Sequence, residues 1–408
     1  MDDVIQSFPG YSFVLGSDNC MHNMYRGVDL GFGGYVYSEP GMYENVALLD
    51  AESQHPTSII QMKYLGEYTK RYEDLVKARI CIKHKDLDTL STLFDGKLMK
   101  YTTDESVMKN LDKALKLPIN AAYGQTSASF DNPFRDKRNK NNIVALRGAL
   151  FMKTLQDEVV SRGFQVVHIK TDSIKIPNAT PEIIFFVKEF GKKYGYNMEH
   201  EATYSKMCLV NKAVYIAKYD DKGVRNKGGI HSNEWTATGT QFQVPYIFKT
   251  LFTHEPIEFK DLCETKSVTG DDAIYLDMNE SMVREYEIEL ESLKTRIAEG
   301  GKGIMSVRKE AKALQEKIDS IHSLQFIGKC GSFCPIKKGC GGGLLVRSTK
   351  SGSFFSVTGT SGYRWLEAET VQASDIDDKI DKGYFRSLVD DAYNAIAKYG
   401  DAEEFING

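Results

Sequence analysis

The sequence predicts an α+β fold, and three observations support this. Short runs rich in Val, Ile and Tyr, which are typical of β-strands, recur between residues 34 and 217. Segments with apolar residues at helical spacing lie between these runs. Of the 408 residues, 41% are hydrophobic, which is enough for a sizeable core. Interleaved strands and helices of this kind favour an α+β core.

The individual elements follow from these apolar patterns. Strands are predicted at 34–36, 46–49, 165–169, 173–176 and 213–217. Helices are predicted at 67–84, 105–123, 143–162 and 181–194. The last two helices end next to Gly163 and Gly195, and glycine commonly follows a helix. We therefore expect a helical hairpin, residues 65–124, inserted into the α+β core.

A highly charged stretch, residues 281–324, has apolar residues at helical spacing on both sides of Gly300–Gly303. Those positions are Val283, Tyr286, Leu290, Leu293, Ile297, Val307, Ala311, Leu314, Ile318 and Ile321. Two antiparallel helices joined by a glycine turn is the simplest interpretation, and a dimeric coiled coil is the competing one. Residues 330–369, rich in glycine and aromatic residues, are predicted to be β.

Bulk properties narrow the class of protein. A net charge of −4 does not indicate a nucleic-acid partner, although a long chain can confine its basic groups to one groove. No apolar run reaches about 18 residues, so we expect no membrane span. The acidic start lacks the basic and apolar regions of a signal peptide. Seven scattered cysteines favour free thiols in a reducing, intracellular compartment.

Two aspartates stand at the ends of predicted strands. Asp50 follows the apolar run 46–49, and Asp172 lies in the polar turn of the predicted hairpin 163–177. Two carboxylates on one sheet can share two divalent cations about 3.5–4 Å apart, an arrangement suited to in-line displacement at phosphorus. Mg²⁺ fits because it prefers hard oxygen ligands. Aspartate is also common in turns for purely structural reasons, so neither residue is decisive alone.

The segment KLPINAAYG, residues 116–124, adds a cation and an aromatic residue. Lys116 and Asn120 are four residues apart and share a helix face, with Tyr123 nearly in line. A lysine facing metal-bound carboxylates would neutralise a triphosphate, and an aromatic ring could pack on a base or sugar. Gly124 is predicted to end the helix and to allow close backbone approach. The alternative is an amphipathic helix end with an exposed lysine.

In this order the three segments resemble motifs A, B and C of family B DNA polymerases. The first resembles D-x-x-S-x-x-P-[ST] through Asp50, Ser53, Pro56 and Thr57. The second resembles K-x-x-x-N-x-x-Y-G, and the third resembles the T-D-S of D-T-D-S at 171–173. FGGYV (32–36) is similar to the Y-x-G-G stretch before motif A, and NKAVYIAKY (211–219) to the K-K-x-Y stretch. These motifs span about half of the chain.

The resemblance implies roles for these residues. Two Mg²⁺ ions, with Mn²⁺ as an alternative, would be bound by Asp50, Asp172 and the backbone carbonyl of Ala51. Nucleotide binding would involve Ser53, Gln54, His55, Lys116, Asn120 and Tyr123. DNA binding would involve Gly124, Thr171, Lys212, Tyr215 and, in the basic loop 131–142, Arg135 and Arg138. Lys77 or Arg79 would supply a second cation for the triphosphate.

The resemblance also implies a right-hand polymerase fold. An antiparallel-sheet palm would comprise residues 1–64 and 125–220, a helical fingers hairpin 65–124, and a thumb-like helical and β region 221–408. The expected activity is DNA-directed DNA synthesis, in which a primer 3′-OH is extended with dNTPs on a template. About thirty residues precede FGGYV, so we expect any 3′–5′ exonuclease on a separate chain. The compact form resembles bacteriophage enzymes, which implies phage DNA replication in the cytoplasm of an infected bacterium.

Departures from the family pattern leave alternatives open. His55 replaces the tyrosine that excludes a ribose 2′-OH, so a polymerase using ribonucleotides or an RNA template is one alternative. Lys170 replaces the first Asp of D-T-D-S, so a non-catalytic primer–template-binding subunit of a replication complex is another. Three cysteines and one histidine do not have a common zinc spacing, so buried thiols are expected rather than a zinc site. They are Cys330, Cys334, Cys340 and His322.

Overall fold

The computed structural model of this chain describes residues 2–128, 130–134, 142–226, 229–300, 303–348 and 352–408. The chain divides into two compact units. Unit 1 extends to Gly239 and includes Lys398–Asp401, and unit 2 comprises Thr240–Ala397 and Ala402–Gly408. The strand Trp235–Thr238 is hydrogen-bonded to another strand of unit 1, so unit 1 continues beyond residue 220.

Unit 1 contains both strands and helices. Its strands are β1 (Ser12–Leu15), β2 (Met21–Tyr25), β3 (Val28–Asp29), β4 (Val36–Ser38), β5 (Gly41–Glu52), β6 (His168–Lys170), β7 (Ser173–Pro177), β8 (Asn197–Asn211), β9 (Val214–Tyr219), β10 (Val224–Asn226), β11 (Gly229–His231) and β12 (Trp235–Thr238). Its helices are α1 (Asp2–Ser7), α2 (Gln54–Gln61), α3 (Thr69–His84), α4 (Leu87–Ser91), α5 (Glu105–Ser127), α6 (Ile143–Ser161) and α7 (Pro181–Lys193). Short 3₁₀ turns occupy Gly66–Tyr68, Phe94–Gly96 and Met99–Tyr101.

The largest sheet of the described residues has seven antiparallel strands in the order β12-β9-β8-β5-β7-β6-β4. Smaller sheets are β1-β2-β3 and β10-β11. Mixed helix and antiparallel sheet confirm the α+β class. The two predicted strands that end on the acids, 46–49 and 173–176, are neighbours in this sheet as parts of β5 and β7.

The two faces of β5 have different environments, because successive side chains of a strand point to opposite faces. Ala47, Leu49 and Ala51 belong to the main core, together with residues of α6 and α7. Val46 and Leu48 belong to a smaller cluster that includes Tyr204 and Leu209 of β8. Asp50 continues the alternation of Val46 and Leu48 and therefore lies on this second face.

The predicted hairpin inserted into the core is observed as α3 and α5. The Tyr72 hydroxyl donates a hydrogen bond to the Ile119 carbonyl at 2.9 Å, and the buried Val76 and Leu115 belong to the main core. Asp104 caps α5, since its carboxylate accepts from the Val107 N–H at 2.9 Å.

The prediction that Gly124 ends this helix is wrong. Helix α5 continues to Ser127, and the Thr126 hydroxyl donates to the Tyr123 carbonyl at 2.7 Å. The Asn132 side-chain amide donates to the Gln125 carbonyl at 3.1 Å, which satisfies an acceptor near the helix end. Gly124 is therefore an internal helix residue, and the helix is ended by groups that follow it.

Unit 2 contains β13 (Glu264–Ser267), β14 (Ile274–Asp277), β15 (Leu324–Gly328), β16 (Cys330–Ile336), β17 (Leu344–Ser348), β18 (Phe354–Ser356) and β19 (Arg364–Glu367). Its α-helices are α8 (Thr240–Gln243), α9 (Pro245–Phe248), α10 (Glu280–Glu299), α11 (Ile304–Asp319), α12 (Ala368–Ala373), α13 (Lys382–Ala397) and α14 (Ala402–Asn407). A π-helical turn spans Lys249–Thr253, and 3₁₀ turns span Phe259–Leu262 and Asp377–Lys379. The strands form the sheets β13-β16-β19 and β15-β14-β17-β18.

The predicted pair of helices in the charged stretch is confirmed as α10 and α11, packed within one chain. Val283, Leu290, Leu293, Ala311 and Ile318 form its buried seam. The remaining apolar positions of the predicted pattern are partly buried against that seam: Tyr286, Ile297, Val307, Leu314 and Ile321. The intramolecular hairpin is therefore the correct alternative to the dimeric coiled coil for this stretch.

Leu49→Ala tests the importance of β5 for the core of unit 1. Leu49 is fully buried, so its truncation should lower the free energy of unfolding by about 2–5 kcal/mol. Leu117 of α5 is 73% exposed, and the same substitution there should cost less than about 0.5 kcal/mol. Urea unfolding followed by circular dichroism compares the two variants. Equal losses would show that β5 does not lie in the core as described.

Candidate active site

Asp50 and Asp172 are brought together by the pairing of β5 and β7. Asp50 lies opposite Ser173, the residue that follows Asp172. The Ala51 N–H donates to the Asp172 carbonyl at 2.8 Å, which extends the ladder by one hydrogen bond into the turn. Both aspartates are partly buried. We refer to Asp50 and Asp172 below as the acid pair.

The surroundings of the acid pair disfavour its negative charge. Burial, together with the negative charges of Asp172 and Glu201, raises the pKa of Asp50 to about 7, against the opposing effect of Lys83 and Lys175. Burial also raises the pKa of Asp172. Two partly buried carboxylates whose protonation is favoured in this way form an environment that binds cations.

The residues present fit a divalent metal ion. Asp50 and Asp172 supply hard oxygen ligands at the ends of adjacent strands, and the charges of Asp172 and Glu201 both act on Asp50. An ion bound there would relieve the repulsion that raises the pKa of Asp50. Glu201 of β8 was not predicted to belong to the site, because β8 itself was not recognised in the sequence.

Thr171 shapes the turn of the β6–β7 hairpin. It adopts a left-handed backbone conformation with φ of 60°, and its N–H donates to the Tyr35 carbonyl at 2.9 Å. A Cβ atom on Gly34 would lie 2.6 Å from the Thr171 Cγ2. Glycine is therefore required in FGGYV because the turn packs directly against its backbone.

Ser53 and Gln54 lie where the chain leaves β5 and enters α2. Ser53 has a left-handed backbone, with φ of 55°. Gln54 is buried, and its amide donates to the Thr171 carbonyl at 2.9 Å. The side chain of Gln54 thus joins α2 to the hairpin turn, which leaves only its backbone to contact a nucleotide. Its Oε1 is buried and has no hydrogen-bond partner among the described residues.

His55 lies between the acid pair and α5. Its ring stacks on Tyr123, with centroids 4.6 Å apart and an interplanar angle of 21°. Burial lowers the pKa of His55, which keeps the imidazole neutral. The Tyr123 hydroxyl donates to Asn142 at 3.0 Å, and the Asn142 amide donates to the Phe32 carbonyl at 2.8 Å. This chain of contacts fixes the flat face that His55 presents beside the acid pair.

The remaining predicted nucleotide-binding residues lie on the hairpin. Lys116 and Asn120 are exposed on α5. On α3, Arg79 forms an ion pair with Asp112 at 3.1 Å, whereas Lys77 is exposed. Of the two candidates for a second triphosphate-binding cation, Arg79 is therefore already engaged by an acid of α5.

A cluster of charges joins the end of α3 to the large sheet. Lys83 lies 3.1 Å from Glu52 and 3.0 Å from Glu199, and His84 lies 3.0 and 3.1 Å from the same two carboxylates. The carboxylates and His84 are close enough together to hold a metal ion. Lys83 already forms salt bridges with both carboxylates, so the cluster joins α3 to the sheet with no metal ion required.

The predicted DNA-binding residues are distributed as follows. Lys212 is exposed in the turn between β8 and β9, and its carbonyl lies 3.1 Å from His168 Nε2. Tyr215 of β9 is partly buried, with its ring 5.8 Å from that of His168. Thr171 lies in the hairpin turn and Gly124 in α5, as described above. Arg135 and Arg138 lie outside the described residues.

The four residues considered for zinc have other environments in unit 2. The Cys334 Sγ lies 3.2 Å from the Cys263 Sγ, and burial raises the pKa of both thiols. His322 Nδ1 lies 2.7 Å from the buried Asp277 carboxylate. Cys330 is exposed and Cys340 is partly exposed. Within the described part of the chain, these four residues do not form a common ligand cluster.

Known proteins that resemble this chain are found among solved structures. No protein-family model and no curated protein matches the sequence. Among solved structures, the family B DNA polymerase from the hyperthermophilic archaeon Pyrobaculum calidifontis is similar, with a TM-score of 0.43 and 13% identity. The similarity covers 90% of this chain and 46% of that one, so this chain spans less than half of that polymerase. At this level the similarity establishes neither fold nor function.

No helix in the described ranges is both long enough and apolar enough to cross a bilayer.

Asp50→Asn tests the electrostatics of the acid pair. The pKa of Asp50 is about 7 in the folded chain and about 4 in an unfolded one. Between these values the folded state binds more protons than the unfolded state, so in EDTA the free energy of unfolding should fall as pH rises from 4 to 7. Asp50→Asn should escape this loss and be more stable than wild type at pH 8 by a few kcal/mol, since each pKa unit corresponds to about 1.4 kcal/mol.

Urea unfolding at several pH values in EDTA measures this difference. The exposed Asp221 provides the control, since Asp221→Asn should follow the wild-type pH profile. Wild-type protein that gains stability between pH 5 and 8, relative to Asp50→Asn, would contradict the electrostatic description.

Proposed function

We propose that the chain is a DNA-directed DNA polymerase that extends a primer 3′-OH with dNTPs by two-metal nucleotidyl transfer. The observation that supports it most is the convergence of the acid pair on adjacent strands of an antiparallel sheet. This is the arrangement that the motif resemblance requires of its first and third motifs. Two unrelated Asp residues, one in a strand and one in a turn 122 residues later, would have no reason to meet in one partly buried site.

The surrounding residues have suitable chemistry for the substrates. Mg²⁺ bound to the acid pair would activate the attacking oxygen and stabilise the leaving one. Lys116, exposed on α5, would neutralise the triphosphate, and Asn120 on the same helix face would hydrogen-bond to the nucleotide. The stacked rings of His55 and Tyr123 would bound the sugar and the nascent base pair. Positioning and charge neutralisation would thus account for catalysis.

The DNA would be bound by groups at the β8–β9 turn, which contacts the β6–β7 hairpin through the Lys212 carbonyl and His168. Lys212 is exposed at the β8–β9 turn, where it would contact a backbone phosphate of the primer strand. Tyr215 follows three residues later and packs against His168 of the β6–β7 hairpin. We further propose that the protein acts in bacteriophage DNA replication in an infected bacterium, with a 3′–5′ exonuclease on a separate chain. The compact arrangement of the motifs supports the bacteriophage context.

A non-catalytic primer–template-binding subunit is the second candidate. It is favoured by Lys170, an exposed cation where the family has its first motif C aspartate. The acid pair itself favours catalysis, because a purely DNA-binding surface gains nothing from two partly buried carboxylates facing a polyanion.

Asp172→Asn separates the two candidates in a primer-extension assay with Mg²⁺ and dNTPs. Wild type should extend the primer, and the variant should be slower by at least about 10³-fold, because it loses a ligand for the ions that stabilise the transition state. Binding of primer–template DNA in EDTA, measured by fluorescence anisotropy, should change little. Asp221→Asn should extend at the wild-type rate. Wild-type protein that binds primer–template but extends nothing, with or without neighbouring gene products, would favour the binding subunit.

His55→Ala tests selection of the sugar. The stacked His55 ring should exclude a 2′-OH, so its removal should raise rNTP incorporation relative to dNTP by at least about tenfold, typical of losing a steric contact of 1–2 kcal/mol. Single-nucleotide extension with dNTP and rNTP measures the ratio, and His55→Tyr should retain discrimination. Equal use of both sugars by wild type would instead favour the ribonucleotide alternative.

A further inference from the structure

Lys175 is a buried lysine in β7, and the proposed catalytic roles do not use it. Its relative exposure is 2%, and its neighbours Ile174 and Ile176 are fully buried in the main core on the opposite face of the strand. Lysine is almost never buried to this extent without a charged partner, because removing an ammonium group from water costs several kcal/mol. The fold must therefore offset this charge.

The hydrogen-bond partner of Lys175 is neutral. Its Nζ lies 3.1 Å from Nδ1 of His168, a fully buried residue whose pKa is lowered by burial to about 4. Nδ1 therefore accepts from the ammonium group, and Nε2–H donates to the Lys212 carbonyl at 3.1 Å. The Tyr215 ring, with its centroid 5.0 Å from Nζ, adds a cation–π contact. Both contacts are with neutral groups, so they leave the positive charge unbalanced.

The negative charge comes from the acid pair. In the β5–β7 register Lys175 lies opposite Leu48, and Ser173 lies opposite Asp50. Lys175 and Asp50 are thus diagonal neighbours on one face of the sheet, a spacing that a long side chain can bridge. Burial lowers the pKa of Lys175 to about 8, and the charges of Asp50, Glu201 and Asp172 oppose that decrease.

We propose that Lys175 is the built-in counter-ion of the acid pair. As a positioning residue, it holds Asp50 and Asp172 together while no metal is bound, and its charge competes with the divalent cation for the same carboxylates. The inference rests on the proposed function only in taking the acid pair as the metal ligands. It also accounts for the position of His168, which orients the ammonium group and joins it to the turn that contains Lys212.

Lys175→Gln is the test, because glutamine removes the charge and keeps an N–H donor for His168. Mg²⁺ is titrated into the full chain at pH 7.5, without DNA or nucleotide, and binding is followed by calorimetry. The Kd for Mg²⁺ should fall by at least about tenfold, since a nearby unit charge repels the ion in a partly buried site. Without the charge of Lys175, the carboxyl groups of the variant also bind protons more tightly. Lys175 repels a proton half as strongly as it repels a divalent ion, so the gain in Mg²⁺ binding exceeds the gain in proton binding.

Thermal unfolding gives a second measurement. In EDTA, Lys175→Gln leaves the two carboxylates without a counter-ion, so added Mg²⁺ should raise the Tm of the variant by more than it raises the Tm of wild type. Lys170→Gln is the matched control, since it removes an exposed lysine from the same hairpin, where solvent and salt screen the charge. Its Mg²⁺ affinity should change by less than about twofold.

Each outcome decides the proposal. Unchanged or weaker Mg²⁺ binding by Lys175→Gln would overturn it, because a residue needed only for packing has no means of opposing the metal. Lys175→Met, which retains the apolar stem, serves as a second variant. Variants that fold with Mg²⁺ and not in EDTA would support the counter-ion, whereas variants that fold in neither would make Lys175 a packing residue and overturn it.

The outcome for Lys175 is distinguishable from that for the polymerase. Wild-type protein that binds Mg²⁺ and extends no primer would defeat the proposed function and leave the counter-ion in place. If wild-type protein extends primers and Lys175→Gln has unchanged Mg²⁺ affinity, the proposed function stands and the counter-ion proposal is overturned. Wild-type protein that binds no Mg²⁺ would overturn both.

Discussion

The hydrogen-bonded register between β5 and β7 is the constraint on which the rest of the site depends. It sets Asp50 opposite Ser173 and lets the Ala51 N–H reach the carbonyl of Asp172. A slip of one residue would turn Asp50 into the main core and bring Leu49 and Ala51 to the face of the smaller cluster. Burying an unpaired carboxylate among apolar side chains is so unfavourable that the core itself enforces the register. The apolar residues of β5 and β7 thus fix the positions of both acids.

Much of this arrangement could be predicted from local sequence. The run that became β5 is apolar and that of β7 contains two isoleucines, while α6 is buried over most of its length and α7 has an apolar face, each with a glycine near its end. The seam of α10 and α11 matches the predicted apolar positions one for one, because a repeat at helical spacing is a strong signal in a charged background. These segments are ones in which local propensity and tertiary packing agree.

Other parts could not be predicted, for identifiable physical reasons. The long central strand β8 mixes charged and apolar residues, and its pairing shifts register at Leu48/Leu49 and at Tyr204/Lys206, so no clean alternation is visible. Glu201 was missed for the same reason. The burial of Gln54 depends on a hydrogen bond to Thr171, 117 residues away. Lys175 was also missed, although a lysine between two isoleucines in a short strand is a signal that the sequence itself contains.

The helical hairpin is fastened to the sheet by contacts of two unequal kinds. Near the end of α5 the link is sheltered, because Tyr123 stacks on His55 of α2, and α2 is itself joined to the β6–β7 turn by Gln54. At the end of α3 they are salt bridges of the half-exposed Lys83, which are individually weak in water, and hydrogen-bonding contacts of the half-exposed His84. Raising ionic strength would loosen the second kind and spare the first. High salt is therefore expected to weaken the attachment of the α3 end of the hairpin while the α5 end stays bound.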